Sequence, residues 1–120
     1  MIYSKILLDH FLNPRNVGRL DHPAVCGEAA GDKCRDSVIL FLAGDGEKIM
    51  QAKFLAKACA VATAAMSVLT EMLAEVKIDE ARRIDTAAII ERLGGVPPHK
   101  LDCVTPAVRA LQTCLSRWSK

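Results

Sequence analysis

The apolar positions of this chain change their period several times, and each change marks an element. From Ile2 to Leu12 the apolar Tyr3, Ile6, Leu7 and Phe11 recur at helical spacing, and Asn13-Pro14 ends the pattern because a residue before proline avoids helical backbone. Between residues 16 and 33 Gly, Asp and Pro accumulate, which predicts a loosely packed, mobile loop with at most a weak edge strand around Ala24 to Glu28. Ser37 to Ala43 is a continuous apolar run with the β-favouring Val38, Ile39 and Phe41, and Gly44-Asp45-Gly46 supplies a tight turn. A hairpin follows. Its second strand, Ile49 to Ala56, is expected to turn Met50, Ala52, Phe54 and Ala56 to one face and Gln51, Lys53 and Lys57 to the other.

Ala60 to Val76 has no Gly or Pro and carries a broad apolar surface through Val61, Ala65, Val68, Leu69, Met72 and Leu73, the strongest helix signal present. Asp79 and Asp85 can cap two shorter helices, the second stopping at Gly94-Gly95 before Pro97-Pro98. A last helix is expected from Thr105-Pro106, burying Val108, Leu111, Leu115 and Trp118. With 120 residues there is room for one domain, spanning 1–120. The predicted class is α+β: a small antiparallel sheet of about three strands, covered on one face by helices, with helices at both termini.

The formal charge of +2 comes from scattered Lys and Arg, and aromatic residues make up 4% of the chain, so neither a basic footprint nor stacking residues point to nucleic acid. No apolar run approaches the roughly 20 residues that cross a bilayer, and Ile6-Leu7-Leu8 is too short for a signal peptide, so no membrane partner and a cytoplasmic location are expected. In that compartment the five cysteines suit metal ligation, nucleophilic chemistry or plain packing better than disulfides.

Three of those cysteines, Cys34, Cys59 and Cys103, fall where predicted elements begin, with Asp36 two residues beyond the first and Asp102 just before the third. Cys34 and Asp36 share a face in extended chain, and Cys59 and Cys103 sit at helix starts, where unpaired backbone N–H groups attract negative charge. Ligands so far apart in sequence are no zinc-finger pair; a site here is assembled by the fold. On spacing alone two readings stand equally: a metal site, or inert core thiols.

Further residues add to this. Tyr3, Asp9-His10-Phe11, the run Asn13-Pro14-Arg15-Asn16-Val17-Gly18, Cys34-Arg35-Asp36, Cys59, Leu69-Thr70-Glu71 and Val96-Pro97-Pro98-His99-Lys100 ahead of Cys103 follow one another in the order found in the IscU/NifU-type iron-sulfur cluster assembly scaffolds. The chain resembles that family over nearly its whole length. The resemblance implies a non-catalytic scaffold that accepts sulfur from a cysteine desulfurase, builds a 2Fe-2S cluster and passes it to apo iron-sulfur proteins. It implies Cys34, Asp36, Cys59 and Cys103 as ligands of the cluster or its iron, and Cys103 as the persulfide acceptor. Val96 to Lys100 is similar to the family's extended segment read by a DnaK-type chaperone with its J-domain co-chaperone.

The chain also departs from the pattern. Arg35 replaces the glycine of Cys-Gly-Asp, Asp102 replaces a histidine before the last cysteine, and Lys57-Ala58-Cys59-Ala60 lacks the usual glycines. The fourth ligand is therefore open between Asp36, Asp102 and, as a fallback nitrogen, His99; Asp102 is equally suited to cap the last helix. Two alternatives accompany the scaffold reading: a zinc-containing SufU-like sulfur acceptor that stimulates a desulfurase, and a metal-free regulatory member. Whether the chain forms a homodimer around a shared cluster is open. Cys114 is expected in the core, Cys26 as a spare thiol in the loop, and His10 in a structural role.

Overall fold

The computed structural model describes residues 3–22, 25–31 and 36–118. Four strands, β1 (Val25–Ala30), β2 (Ser37–Gly44), β3 (Lys48–Lys57) and β4 (Val76–Lys77), form one antiparallel sheet in the order β1-β2-β3-β4. The helices are α1 (Lys5–Leu12), α2 (Ala60–Leu73), α3 (Ile78–Ala81), α4 (Thr86–Arg92) and α5 (Thr105–Arg117), with a 3-10 turn over Pro98–Cys103. Helices α2 and α5 lie on one face of the sheet, and α1 and α4 pack against α2. The α+β class is as expected, with a fourth, two-residue strand.

Most starts are chemical. Ser4 caps α1 by accepting the Leu7 N–H at 3.0 Å, and its hydroxyl also donates to the Leu93 carbonyl at the end of α4. Asp85 caps α4 through the Ala88 N–H at 2.9 Å, but Asp79 lies in the first turn of α3 and the cap position is Lys77. Helix α2 ends at Leu73, a turn earlier than the apolar pattern suggests, because Glu75 adopts φ 59° and releases Val76–Lys77 to pair with Ile49 and Lys48. The apolar stripe was continued there by a strand, not by helix.

Two further expectations need correction. The register of β2 against β3 slips between Ala43 and Gly44, with Gln51 and then Ile49 as their partners, so Met50 is a bulged residue. The bulge removes Met50 from the inner face, where it is 44% exposed, and puts Ile49, at 0%, in line with Ala52 and Phe54. The second correction concerns the segment read as a loose loop. All six residues of β1 pair with β2, and α5 packs closely over the strand. Gly27 is what permits this, since a Cβ there would lie 2.7 Å from the Ala110 carbonyl oxygen and 3.0 Å from Cys114 Sγ.

Between inner sheet face and helices lies the core, including Leu40, Leu42, Phe54, Met66, Leu69, Leu73 and Leu111. Each such side chain contributes on the order of 1.5–3 kcal/mol by leaving water. Helix α5 buries Val108, Leu111 and Leu115 as its spacing predicts, while Trp118 is half-buried at its cap and donates to the Gly46 carbonyl at 3.3 Å. Helix α1 is different: it buries Leu7 and His10, and leaves Ile6, Leu8, Phe11 and Leu12 exposed.

Candidate metal centre

Three element boundaries meet at one end of the sheet. Asp36 immediately precedes β2, its carbonyl accepting the Gly31 N–H at 2.9 Å and its side chain buried at 6% exposure. Cys59 follows β3 and is itself the N-cap of α2, with extended backbone at φ −67°, ψ 172° and its sulfur 3.5 Å from the Ala62 N–H. Cys103 closes the 3-10 turn that leads into α5 and is 7% exposed.

One carboxylate organises the junction. Asp36 Oδ1 accepts the Cys59 backbone N–H at 2.9 Å, and Oδ2 lies 3.4 Å from Cys59 Sγ as acceptor of the thiol hydrogen. The start of β2 is thereby tied to the start of α2. A donor atom from each of Asp36, Cys59 and Cys103 lies within 4.8 Å of the others. A tetrahedral zinc site, with metal–sulfur bonds near 2.3 Å, holds its sulfurs about 3.8 Å apart, so a shift of roughly an ångström closes this set around an ion. The donor chemistry fits: thiolates take soft iron or zinc, and the carboxylate supplies a harder, more readily exchanged oxygen.

Cys34 and Arg35, on which the fourth position and the altered Cys-Gly-Asp geometry depend, lie outside the described residues. Asp102 and His99 are exposed and do not belong to the group formed by Asp36, Cys59 and Cys103. Nor does Asp102 cap α5, which starts from Val104 without a side-chain cap. Of the three candidates for the fourth ligand, the fold brings Asp36 alone to Cys59 and Cys103. The segment from Val96 to Lys100 is extended only at its beginning, since Pro98 opens the 3-10 turn and the Lys100 N–H bonds the Pro97 carbonyl at 2.8 Å. The proline pair here starts a turn.

Cys114 is a core thiol, 0% exposed, donating to the Leu40 carbonyl at 3.4 Å. Burial, followed by the neighbouring Cys26, pushes it up to about 12. Cys26 is exposed, on β1 and not in a loop.

A second polar cluster was not legible in the pattern. Ser67, on the inner side of α2 and 0% exposed, accepts the Arg15 backbone N–H at 2.9 Å and lies 2.7 Å from His10 Nδ1. His10 Nε2 is 3.4 Å from Glu71, and Thr70 accepts the Asn16 side-chain amide at 3.1 Å while donating to the Ser67 carbonyl at 2.7 Å. The pattern assigns a neutral imidazole whose Nδ1 receives the Ser67 hydrogen and whose Nε2 carries the ring proton. Burial lowers the His10 pKa from its ordinary value, aided by the Arg15 charge and opposed by Glu71. Asp9 holds the Arg15 guanidinium at 2.6 Å. The Asp9-His10 and Asn13-to-Gly18 motif is thus a clamp that fastens α1 and the following turn to α2. Its sequence signals are the Asp9-His10 and Asn13-to-Gly18 motif, with the structural role expected of His10, and a serine inside an otherwise apolar helical stripe.

Over residues 2–120 the chain matches the family described as NifU-like N terminal domain. It is 35% identical over 114 residues to iron-sulfur cluster assembly scaffold protein IscU 1 of Archaeoglobus fulgidus, covering 95% of this chain and 74% of that one. With the IscU scaffold protein of Rickettsia prowazekii the identity is 34% over 124 residues, covering 100% of this chain and 94% of the relative. In fold it is similar to a crystal structure described as a scaffold protein for the SUF system of Fervidobacterium islandicum, with TM-score 0.78, 22% identity, and coverage of 94% and 96% of the two chains. With this match and the buried Asp36–Cys59–Cys103 junction, the chain belongs to the NifU-like N-terminal domain family.

Proposed function

We propose that this protein is a scaffold for iron-sulfur cluster assembly, not an enzyme, and that Cys34, Asp36, Cys59 and Cys103 hold its cargo, a 2Fe-2S cluster. The single observation carrying this reading is the convergence of Asp36, Cys59 and Cys103 within 4.8 Å in a chain of this family. The relatives named as IscU scaffolds point the same way. Sulfur arrives as the persulfide of a cysteine desulfurase. The Cys103 thiolate attacks its outer sulfur, a new S–S bond forms at Cys103, and the donor's own sulfur leaves as thiolate. Cys103 is buried at 7% exposure, so the 3-10 turn that carries it has to open toward the donor. Asp36 serves differently. As an oxygen ligand among thiolates it leaves one corner of the cluster easily displaced, which suits a protein that passes its cargo to apo iron-sulfur proteins.

The test is anaerobic reconstitution with ferrous iron, cysteine, a desulfurase and dithiothreitol. The expected product is a brown protein with acid-labile sulfide, absent from Cys59→Ser and Cys103→Ser. Colour that survives both substitutions rejects the assignment. The zinc-containing sulfur-acceptor reading has one observation in its favour: two thiols and a carboxylate so close together suit a single tetrahedral ion. Protein purified with one zinc per chain that accepts persulfide and never retains a cluster supports it instead. The chaperone segment at Val96 to Lys100 belongs to the same reading, with the turn at Pro98 unwinding on recognition. Among the described residues no helix is long and apolar enough to cross a membrane.

A further inference from the structure

Among the described residues no helix covers the sheet's second face. Residues 16–18 pair along the edge of β3, Asn16 and Gly18 bonding the backbone of Phe54, and the strap that follows lays Arg19 over the Phe41 ring on this face at 5.8 Å. Phe41 is 5% exposed beneath this strap. Beyond the strap, toward Asp36 and Cys59, none of the described residues covers the face. The register places Glu28, Ile39 and Leu55 side by side in one row and Ala30, Ser37 and Lys57 in the next, with Lys53 opposite Phe41. A depression of about 350 Å³ lies over Glu28 to Ala30 and Ser37 to Ile39. The last row is sequence-adjacent to the site, Ser37 following Asp36 and Lys57 preceding Ala58-Cys59.

On this open region cations outnumber carboxylates. Lys53 and Lys57 project from it and Arg19 from the strap beside it, and among the described residues none of the three is within ion-pair distance of a carboxylate. The one carboxylate on the same face of β1 to β3 is Glu28, at the far strand. Asp45 and Glu47 belong to the turn at the other end of the hairpin, where Asp45 is engaged by the backbone N–H groups of Glu47 and Lys48. The chain as a whole carries only +2, so three unpaired cations around half-buried Ile39 and Leu55 are a local concentration.

We propose that this open sheet face, with Lys53, Lys57 and Arg19 around Ile39 and Leu55, is a docking surface for a protein partner that presents carboxylates around an apolar centre, seated beside the Asp36–Cys59–Cys103 junction. Complementary charge draws such a partner in and fixes its orientation, while the aliphatic floor rewards an apolar contact that a phosphate backbone lacks. That asymmetry favours an acidic protein over nucleic acid. The partner's task, exchange of sulfur or cluster with the site, rests on the proposed function; its chemistry does not.

The experiment uses the intact chain and three probes: a poly(Glu,Tyr) copolymer, poly-Glu of equal length, and duplex RNA of equal charge. The copolymer is expected to bind at least about five-fold tighter than poly-Glu and to weaken about ten-fold when salt rises from roughly 50 to 500 mM. Charge reversal in K53E/K57E is expected to weaken it at least about ten-fold, and reversal of two exposed cations on the helical side, K5E/R92E, less than two-fold. Equal loss in both double variants, no binding of the copolymer, or tighter binding of RNA overturns the proposal. Zinc binding is measured on the same variants. If K53E/K57E takes up zinc normally and probe binding is unchanged, the docking surface alone falls; if no variant and not the parent binds zinc, the metal-site reading falls and the surface stands on its own data.

Discussion

Helix α2 carries two polar clusters, and they are built on opposite terms. In its second half, Ser67, Thr70 and Glu71 meet His10, Arg15 and Asn16 through bonds of 2.7–3.4 Å, so hydroxyl, imidazole and amide each have a defined partner. In its first turn, Cys59 meets Asp36 and Ala62 through contacts to sulfur of 3.4 and 3.5 Å, with Cys103 close by. Thiols are weak donors and weak acceptors, so such contacts cost little to exchange. Hydroxyl and imidazole contacts in a buried setting cost much more to break. One cluster therefore fixes the fold, and the other joins, through weaker contacts to sulfur, three groups that could hold a metal ion. The backbone bond from Cys59 N–H to Asp36 ties the start of β2 to the start of α2 in that second cluster.

Four measurements test this contrast. The largest effect is expected for Cys103→Ala, which should lower zinc affinity at least about 100-fold by chelator competition, yet change unfolding free energy of metal-free protein by no more than about 1 kcal/mol. Unchanged zinc affinity would remove Cys103 from the site. Ser67→Ala should show the reverse. It orphans the Arg15 N–H and the His10 ring, costing about 2–3 kcal/mol in denaturant titration, with zinc affinity within about two-fold of the parent. A large loss of zinc binding in this variant would show that the two clusters are coupled.

A pH titration of stability comes next. His10 is held below its ordinary value of 6.5 in the fold, so below that pH the unfolded chain binds the proton that the folded chain resists. Stability is accordingly expected to be full above 6.5 and to decline as pH falls through it toward the folded value, with a shallower decline in His10→Gln. A decline of equal slope in the variant would assign the acid sensitivity elsewhere. The smallest effect is expected for Thr70→Val, about 0.5–1 kcal/mol, because its partner Asn16 is exposed and water replaces the lost bond. A larger loss would mean that the turn after α1 is held more by Thr70 than by Ser67.

Where local chemistry sufficed, the pattern was readable. The Thr105-Pro106 start, the Asp85 cap, the Gly94-Gly95 stop and the Gly44-Asp45-Gly46 turn are each fixed by residues within a few positions of one another. Strand β1 is only weakly marked in the sequence because Val-Cys-Gly-Glu-Ala-Ala has little β-propensity of its own. It is held by pairing with β2, and its glycine is there for the close approach of α5. The face of β3 was misassigned at one residue, Met50, since a bulge depends on the register with a partner strand and leaves no mark in alternation.

At the site the division is similar. The sequence by itself determined the order of elements, the caps and turns, and the fact that Cys59 and Cys103 flank helix starts, because these depend on periodicity and on bonds between near neighbours. Only the tertiary structure decided that Asp36 joins the two cysteines while Asp102 and His99 remain outside, and that a serine in α2 anchors His10. Those choices rest on how strand ends and helix starts from distant parts of the chain are brought together by a shared core. Closure of that core is a property of the whole chain, and no local stretch encodes it.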